Sequence, residues 1–413
     1  MNVWILQTGE PLHIDEDHSR PMRAMNLSNK LAESGHNVVI FSSTFYHQKK
    51  SHRAKKYSIF TVSENIEIRL IPSIGYYKHI GLRRLFDHFQ MAWNLKNLLK
   101  KEKNMPDIAF IGYPPIETAF VISGWLKKRK VPVLLDVKDL WPSIFVDAFP
   151  KKLKLIAKTL LYPYFYFSKE TIRKVDGIST MTKSFLQWTY NYANRSSGKN
   201  DIIVRLTSRF QTTEYQKLKE ASRWWKELGV DQDRPSVFFV GAFNRNFDFK
   251  SVYEAAKTTK NCQFILCGEG PTLNEVKDLM AELPNVFFPG WIDKIKLEAL
   301  GKISIACLAP YKNSFDFILS IPNKIVDALS LSLPILSPLK GEVAKLIEEN
   351  EVGFTYNDDF LLADFINTLI KDMKLQKKMS SNSKKLYELE FEFDMVYDQL
   401  VFHLENMVIK KNN

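Results

Sequence analysis

The sequence predicts an α/β protein with two doubly wound, Rossmann-like domains, and three observations lead to this prediction. The chain has 413 residues, which is too long for one ordinary core and suits two domains of roughly 150–200 residues each. Short apolar runs alternate with helical patterns from the start of the chain, as in βαβ units that build a mostly parallel sheet. The alternation weakens in the polar stretch 191–201 and then restarts, which indicates a junction near residues 200–210.

The expected strands are short apolar runs in each half of the chain. They lie at 3–7, 38–42, 66–71, 108–112, 133–137 and 177–180, and then at 236–240, 262–267, 286–288, 303–308, 333–336 and 353–355. A helix is expected at 22–34, where Ala24, Leu27 and Leu31 share one face and Gly35 is a stop signal. Further helices are expected at 250–258, 272–282, 322–331 and 341–349. We therefore predict an N-terminal domain at 1–204, a C-terminal domain at 205–385, and a final helix at 386–413 that packs back on the N-terminal domain.

The composition excludes several classes of protein. Apolar residues make up 45% and charged residues 25% of the chain, so neither a disordered chain nor a collagen-like chain is expected. The three cysteines form no CxxC pair, which argues against a disulfide framework or a zinc cluster and favours a reducing compartment. Neither a signal peptide nor an apolar run long enough for a transmembrane helix is visible, so we expect a cytoplasmic protein.

The positive charge is concentrated in the first half of the chain. Residues 1–200 carry 31 Lys and Arg against 16 Asp and Glu, a net charge of +15, which leaves 27 against 30, or −3, for the remainder. A basic half favours an anionic membrane or another polyanion, although a solvated basic surface would give the same count. No zinc-finger, helix-turn-helix or basic-aromatic recognition pattern favours nucleic acid.

The segment 151–174 is basic at both ends and rich in aromatic residues. Helices of this composition lie in membrane interfaces, with Tyr at headgroup depth and Lys reaching phosphates. We therefore predict membrane contact for Tyr164, Phe165 and Phe167, with Pro163 kinking or splitting the helix. The alternative is an ordinary core helix followed by a buried aromatic strip.

Three turns in the second half predict a diphosphate site at the carboxyl edge of its sheet. The first is a helix start with proline and Lys324, whose free amides and ammonium would bind an anion, while Asp327 lies one turn further along for ribose hydroxyls. The second follows a strand with Gly241, Asn244 and Arg245, and the third is the G-x-G turn of residues 268–270. Ligands bind at such strand ends in doubly wound sheets.

In this order the motifs resemble glycosyltransferase family 4, the retaining GT-B enzymes, and in particular the branch that assembles polysaccharides, capsule and O-antigen. The turns above match its V-G, G-x-G-P and P-N-K elements, and 288–290 match its F-x-G strand. The loop 139–142 (DLWP) and the stretches 9–11 and 20–23 match the N-terminal domain of that branch. The resemblance covers nearly the whole chain.

This resemblance implies two domains that face across a cleft, and a retaining, metal-independent transfer from a nucleotide sugar, with UDP as the nucleotide, to a lipid-linked glycan on the inner face of the cell membrane. The implied catalytic residues are Asp139, Arg245 and Lys324. The implied donor-binding residues are Gly9, Gly241, Asn244, Gly268, Gly270, Trp291, Ile292, Ser320, Ile321, Pro322, Asn323 and Asp327. The implied acceptor- or membrane-facing residues are Arg20, Arg23, Lys138, Trp141, Tyr164, Phe165 and Phe167. The partners are then the donor, the acceptor and an anionic membrane, with no cofactor, no metal and no nucleic acid.

The sequence departs from the family pattern at two places. The family often has two glutamates eight positions apart, where this chain has Leu319 and Asp327, so Asp316 is the candidate for the first acid. Lys138 stands where a histidine is common in the family. Two other functions remain as alternatives. A non-hydrolysing sugar-nucleotide 2-epimerase would have the same two-domain layout, and a non-catalytic basic scaffold would explain the positive charge.

Overall fold

The chain folds into two compact units, each described here by itself. The structure, a computed structural model, describes residues 1–15, 20–77, 81–147, 149–207, 209, 213–357 and 361–412. The first unit comprises Met1–Val204 and Tyr397–Asn413, and the second comprises Arg205–Val396. The chain therefore enters the first unit again at Tyr397, and residues 386–396 belong to the second unit.

The first unit is built on an eight-stranded, mostly parallel sheet. Its strands, with the β3–β4 hairpin outside that sheet, are β1 (Asn2–Leu6), β2 (Asn37–Ser43), β3 (Phe45–Tyr46), β4 (Ser51–His52), β5 (Ser58–Ser63), β6 (Ile66–Ile71), β7 (Ile108–Tyr113), β8 (Val133–Val137), β9 (Gly177–Thr180) and β10 (Ile202–Ile203). The strand order is β10-β9-β8-β7-β1-β2-β6-β5. Strand β1 pairs in parallel with both β2 and β7, so the order reverses at β1. This reversal creates a topological switch point at the carboxyl ends of β1 and β7.

The helices of the first unit cover this sheet. They are α1 (Arg23–Glu33), α2 (Leu82–Lys101), α3 (Ile116–Lys127), α4 (Ser143–Asp147), a short 3-10 turn (Lys151–Leu153), α5 (Lys154–Leu160), α6 (Tyr162–Lys174) and α7 (Lys183–Ala193). In α1, Ala24, Leu27 and Leu31 are buried on one face as the sequence predicts, and Gly35 follows with φ +77°. The segment 151–174 is split at Leu161, and Pro163 lies in the first turn of α6, where its missing N–H costs no helical hydrogen bond.

The second unit is a six-stranded, fully parallel sheet with helices around it. Its strands are β11 (Ser236–Val240), β12 (Gln263–Cys267), β13 (Val286–Gly290), β14 (Ala306–Leu308), β15 (Ile335–Ser337) and β16 (Gly353–Thr355). Its helices are α8 (Tyr215–Glu227), α9 (Lys250–Thr258), α10 (Leu273–Leu279), α11 (Lys294–Ile303), α12 (Phe315–Leu319), α13 (Asn323–Ser330), α14 (Glu342–Asn350), α15 (Leu361–Lys371), α16 (Met373–Leu386) and a π-turn (Tyr387–Phe391). The order β13-β12-β11-β14-β15-β16 is that of a dinucleotide-binding Rossmann sheet, with its switch point between β11 and β14.

The last helix, α17 (Phe393–Asn412), runs from the second unit into the first. Leu400 and Leu404 are buried, and the Tyr397 hydroxyl accepts a hydrogen bond from Asn26 of α1 at 3.3 Å. Asp398 pairs with Lys30 at 3.1 Å, also on α1. The final helix is thus part of the core and the surface of the first unit.

Two strands of the first sheet are absent from the sequence prediction. Strand β5 is an antiparallel edge strand whose side chains are mostly exposed, and β10 has only two residues. Neither gives the buried apolar run that predicts a central parallel strand.

Candidate active site

The switch point of the second unit brings together the three turns that the sequence singled out. The loops after β11 and β12 are tied to each other and to β13 by backbone hydrogen bonds. Gly241 N–H donates to Cys267 O at 3.0 Å, and Gly268 N–H donates to Gly290 O at 2.7 Å. Backbone hydrogen bonds therefore join the carboxyl ends of β11, β12 and β13 to one another.

The glycines of these turns are required by backbone packing. A Cβ on Gly268 would lie 2.0 Å from the Gly241 carbonyl oxygen, and one on Gly270 would lie 2.2 Å from the Phe243 carbonyl oxygen. The φ angles of +129° and +152° also disfavour any L side chain. The sequence singles out these glycines as donor-binding residues of a G-x-G turn, and in the structure each meets the backbone of the neighbouring loop.

Lys324 reaches from α13 to the carboxyl end of β11. Its Nζ donates to the Val240 carbonyl oxygen at 2.6 Å and lies over the rings of Phe239 and Phe247, at 4.7 and 5.1 Å from their centroids. A Cβ on Gly241 would lie 1.8 Å from Nζ, so that glycine makes room for the ammonium. The structure thus places a full positive charge at the switch point, beside the start of α13.

The start of α13 has the features of an anion site. Pro322 is its N-cap, with no side-chain hydrogen bond to the first amides. The first amides of a helix have no partner within the helix, and the helix dipole is positive there. Ile321 and Ile292, two of the predicted donor-binding residues, are buried in the core of the second unit.

The remaining predicted donor residues differ in exposure. Arg245 and Asn323 are exposed, and Trp291 is 62% exposed. The Asn244 side chain accepts a hydrogen bond from Asn246 N–H at 2.9 Å, which shapes its turn. The other predicted residues here are buried or half-buried: Ser320, Pro322, Asp327 and, on α12, Asp316.

The switch point of the first unit contains a pocket of about 200 Å³. Its walls come from the loop after β1, the loop after β2, the inner face of α2 and the carboxyl ends of β7 and β8. The lining residues are Gln7, Thr8, Gly9, Glu10, Met22, Ser43, Phe45, His47, Tyr76, Arg84, Asp87, His88, Met91, Tyr113, Pro114, Pro115, Lys138 and Asp139. Gly9 and Asp139 therefore both lie at this pocket.

A buried charge network supports the pocket from below. Arg23 Nη1 donates to Asp136 Oδ1 at 3.0 Å, and Lys138 Nζ contacts Glu10 and lies 3.3 Å from Asp136 Oδ2. Burial alone would lower the pKa of Lys138, but the charges of Glu10 and Asp136 raise it above its ordinary value. Arg23 is buried in this network, where it also donates to the Val204 carbonyl oxygen at 2.9 Å.

Two further residues of the predicted acceptor or membrane set are wholly or partly covered by neighbouring side chains. Trp141 is buried beneath the pocket, where its ring lies 5.7 Å from the His88 ring. Tyr164 is half-buried, and its hydroxyl donates a hydrogen bond to Glu117 Oε1. Arg20, by contrast, is exposed.

His88, which lines the pocket, and Glu117, whose Oε2 lies 3.8 Å from His88 Nδ1, are titratable side chains that the sequence did not indicate. Burial lowers the pKa of His88 to about 3, with Arg84 and His47 acting in the same direction. Burial raises the pKa of Glu117 to about 7, against the opposing hydrogen bond from Tyr164. These residues stand on separate helices, α2 and α3, so no spacing along the chain links them.

Phe165 and Phe167 are not the exposed aromatic residues of the segment 151–174. They are half-buried and pack near Tyr192 and Phe120, with ring centroids 6.3 and 4.9 Å apart. The exposed apolar side chains are on α5, on the first turns of α6 and just before them. They are Phe149, Leu153, Leu155, Ile156, Leu160, Tyr162 and Tyr166.

A second exposed apolar surface lies on α2 and was not predicted. Leu82, Phe86, Phe89 and Trp93 are 84, 64, 61 and 64% exposed. Their spacing places them on one face of the helix, opposite the face that lines the pocket. We call these four residues the α2 stripe. Helix α3 packs against both α2 and α6.

Two structural features bear on membranes and metals. Within the described ranges, no helix combines the length and the apolar character that crossing a bilayer would need. Among the same residues, no three His, Cys, Asp or Glu side chains lie close enough together to hold a metal ion.

Comparisons with known sequences find relatives for part of the chain. Residues 221–386 match the family Glycosyl transferases group 1. Alpha-D-kanosaminyltransferase from Streptomyces kanamyceticus is 23% identical over 184 residues, or 42% of this chain. The match spans about half of that curated relative, 46% of its length.

Solved structures resemble the whole chain. Sucrose-phosphate synthase from Thermosynechococcus elongatus has a TM-score of 0.70 at 14% identity and covers 99% of both chains. WaaG, a glycosyltransferase involved in lipopolysaccharide biosynthesis, has a TM-score of 0.66 at 12% identity, covering 97% of this chain and 99% of that one. HepE from Anabaena, in complex with UDP, has a TM-score of 0.65 at 14% identity, covering 98% and 99%.

The fold and the second site define the class: the chain is an α/β protein with the GT-B fold. We refer to residues 221–386, which match the family Glycosyl transferases group 1, as the group 1 domain. Over that part of the chain, the family match and the curated relative agree with the expected enzyme class, a glycosyltransferase.

Proposed function

We propose that the chain is a retaining, metal-independent glycosyltransferase. It moves a sugar from a nucleotide diphosphate sugar, with UDP as the nucleotide, to a lipid-linked glycan acceptor during the assembly of a cell-surface polysaccharide. The observation that carries this proposal is the position of Lys324, held at the carboxyl end of β11 beside the start of α13 within the group 1 domain.

The donor half of the proposal follows from the charge that develops in the reaction. When the bond between the anomeric carbon and the diphosphate oxygen breaks, the diphosphate leaves with the electron pair. The Lys324 ammonium and the first amides of α13 would stabilise that negative charge without reorganising. Arg245, exposed on the loop after β11, would add a guanidinium to the same anion.

The choice of UDP is supported by the relatives, since HepE is described in complex with UDP. Metal independence is supported by Lys324 and Arg245, because positive side chains can balance the diphosphate charge in place of a cation. The retaining outcome rests on the resemblance to the retaining GT-B enzymes. Asp139, exposed at the first pocket, would help to position the acceptor.

The acceptor half of the proposal rests on the surface of the first unit. The α2 stripe is followed along the same helix by exposed Lys96 and Lys100, and exposed Lys152 and Lys158 flank the apolar side chains of α5. Apolar rings bordered by lysines suit the headgroup region of an anionic bilayer. We propose peripheral attachment to the inner face of the cell membrane, where a lipid-linked acceptor would be available. WaaG, a similar fold, is involved in lipopolysaccharide biosynthesis.

The test is a transfer assay with the purified chain. Radiolabelled UDP-glucose and UDP-N-acetylglucosamine are incubated with a bacterial membrane lipid extract in the presence of EDTA. Label in the lipid phase supports the proposal. A converted free nucleotide sugar would instead identify a sugar-nucleotide epimerase, and a protein that binds the lipids without turning over either donor would be a scaffold.

A further inference from the structure

His88 and Glu117 form a buried pair in which two polar atoms have no hydrogen-bond partner. His88 Nδ1 and Glu117 Oε2 face each other at 3.8 Å. Each atom is fully enclosed by protein and makes no hydrogen bond. Leaving a buried polar atom unpaired costs about 1–3 kcal/mol, so such atoms call for a functional explanation.

The surroundings fix both side chains. The His88 ring lies 5.7 Å from the Trp141 ring at a near-parallel angle and 6.0 Å from the Tyr76 ring edge-on. Glu117 lies in the first turn of α3, and its Oε1 accepts a hydrogen bond from the Tyr164 hydroxyl. His88 also lines the pocket, and because Nδ1 is turned toward Glu117, Nε2 is the nitrogen left for the pocket.

We propose that His88 binds a hydroxyl group of the acceptor sugar, and that Glu117 is a positioning residue whose proton decides whether His88 offers the pocket a hydrogen-bond donor or acceptor. This inference rests on the proposed function, because it assigns the acceptor to the pocket of the first unit. It identifies His88 and Glu117 as a pair that determines specificity for the acceptor.

The His88–Glu117 pair has two protonation states in which the imidazole is neutral. When Glu117 is protonated, its O–H donates to Nδ1, the ring proton is on Nε2, and Nε2 offers the pocket a donor. When Glu117 is ionised, Nδ1–H donates to the carboxylate, and Nε2 offers the pocket a lone pair. A hydroxyl can accept in the first state and donate in the second, whereas a carbonyl oxygen or an ammonium fits only one state.

The ionised state should bind the hydroxyl more tightly. The acceptor O–H then donates to Nε2, and the chain ends in a charge-assisted hydrogen bond between Nδ1–H and the Glu117 carboxylate. The change falls near neutrality, because burial raises the pKa of Glu117 to about 7 while the pKa of His88 is lowered to about 3.

Other charged and titratable groups face this pair. Arg84 opposes protonation of His88 and favours ionised Glu117, whereas Asp87 opposes that ionisation. His47 also lines the pocket, and Tyr164 and Tyr113 complete the surroundings. Burial raises the pKa values of Tyr164 and Tyr113 above their ordinary value, so neither titrates near neutrality.

The first experiment needs no acceptor and no turnover. Nitrogen NMR of the histidine side chains in the full-length protein reports which ring nitrogen of His88 carries the proton. From about pH 6 to about pH 8 the proton should move from Nε2 to Nδ1, while the ring stays neutral. In Glu117→Gln the Tyr164 hydroxyl should keep the amide oxygen, so the amide N–H₂ faces Nδ1 and the Nε2–H form persists at every pH. If the tautomer of the wild-type His88 ring does not change with pH, the proposed role of Glu117 is wrong.

The second experiment measures acceptor binding through initial rates against the concentration of membrane lipid extract. The wild-type KM for the extract should fall about tenfold from about pH 6 to about pH 8. Glu117→Gln should keep the higher KM at both pH values, and His88→Gln should raise it with no pH dependence, while UDP still raises the Tm of each variant. His47→Gln, which changes the other imidazole of the pocket, should keep the pH dependence.

The outcomes separate this inference from the proposed function. Folded variants that bind UDP and show the wild-type KM at both pH values would reduce the pair to a structural role and overturn the inference. A wild-type chain that transfers nothing to any lipid would overturn the proposed function, and the His88 tautomer would still be measurable.

Discussion

Lys324 affects catalysis and stability through different neighbours, and the two effects can be measured apart. Lys324→Ala should lower turnover of the nucleotide sugar roughly a hundredfold, because one preorganised charge at the leaving diphosphate is lost. The same change removes the bond to the Val240 carbonyl and should lower the free energy of unfolding by about 1–3 kcal/mol. Turnover and thermal unfolding of the purified variant measure the two effects.

The matched control is Lys345→Ala, because that lysine is exposed on α14 and pairs with Glu349 at 3.8 Å. Exposed pairs of this kind contribute little. The control should match the wild type in both measurements. A Lys324→Ala enzyme with full turnover would contradict the assignment of the diphosphate site.

Gly268 tests whether the donor loops are held by backbone packing. Gly268→Ala places a methyl group 2.0 Å from the Gly241 carbonyl oxygen at φ +129°. We expect a loss of at least about 2 kcal/mol in the free energy of unfolding, measured by denaturant titration. Gly124→Ala on α3, where the added Cβ meets nothing within 4 Å, should be neutral or slightly stabilising. Equal stability of the two variants would refute the packing argument.

At the scale of helices, substitutions in the α2 stripe should weaken vesicle binding and leave the fold intact. Substitution of Phe165 and Phe167 should instead lower the stability of the fold. Replacing Phe86, Phe89 and Trp93 together by Ser should leave the fold intact, because all three are exposed, and should weaken sedimentation with anionic vesicles. The loss should be clearest at high salt, where the lysine contribution of about 1 kcal/mol per residue is screened and apolar burial remains.

The comparison variant replaces Phe165 and Phe167 by Ser. Since these rings pack near Tyr192 and Phe120, we expect a lower Tm rather than a selective loss of vesicle binding. A wild-type chain that ignores anionic vesicles would remove the main support for a lipid-linked acceptor.

The elements differ in how far the sequence could predict them. Strand β7 is buried on both faces, so it is a nearly continuous apolar run that the sequence displays directly. The exposed edge strand β5 has no such run. Helix α2 is apolar on its exposed face as well as its buried one, and a sequence alone does not say which apolar face is covered.

The residues of the candidate site also differ in how far the sequence could predict them. Lys324 and the glycine turns were predicted because their signals are local: a proline before a helix, or a glycine after a strand. His88 and Glu117 meet only because α2 and α3 pack together, and neither has a neighbour in sequence that marks it. The burial of Arg23 and Trp141 and the partial burial of Phe165 were likewise not predicted, because burial of a single side chain is a property of the folded chain.

For the whole molecule, the proposal predicts that metal chelation has no effect. Activity in the lipid transfer assay should be the same in EDTA as in Mg²⁺ or Mn²⁺, since positive side chains are placed to balance the diphosphate. UDP at a hundred times its Kd should stabilise the chain by about 2.7 kcal/mol with or without EDTA, measured as a rise in Tm. Strict dependence of either readout on a divalent cation would contradict the proposed mechanism.

The path of α17 bears on the order in which the protein can be completed. The helix begins in the second unit and supplies Tyr397, Leu400 and Leu404 to the first, so the second unit is inserted within the first. The N-terminal end of the chain leaves the ribosome first, and domains generally fold as units during synthesis. The group 1 domain can therefore finish folding while the first unit still waits for its last helix. The unit that is started first is the one completed last.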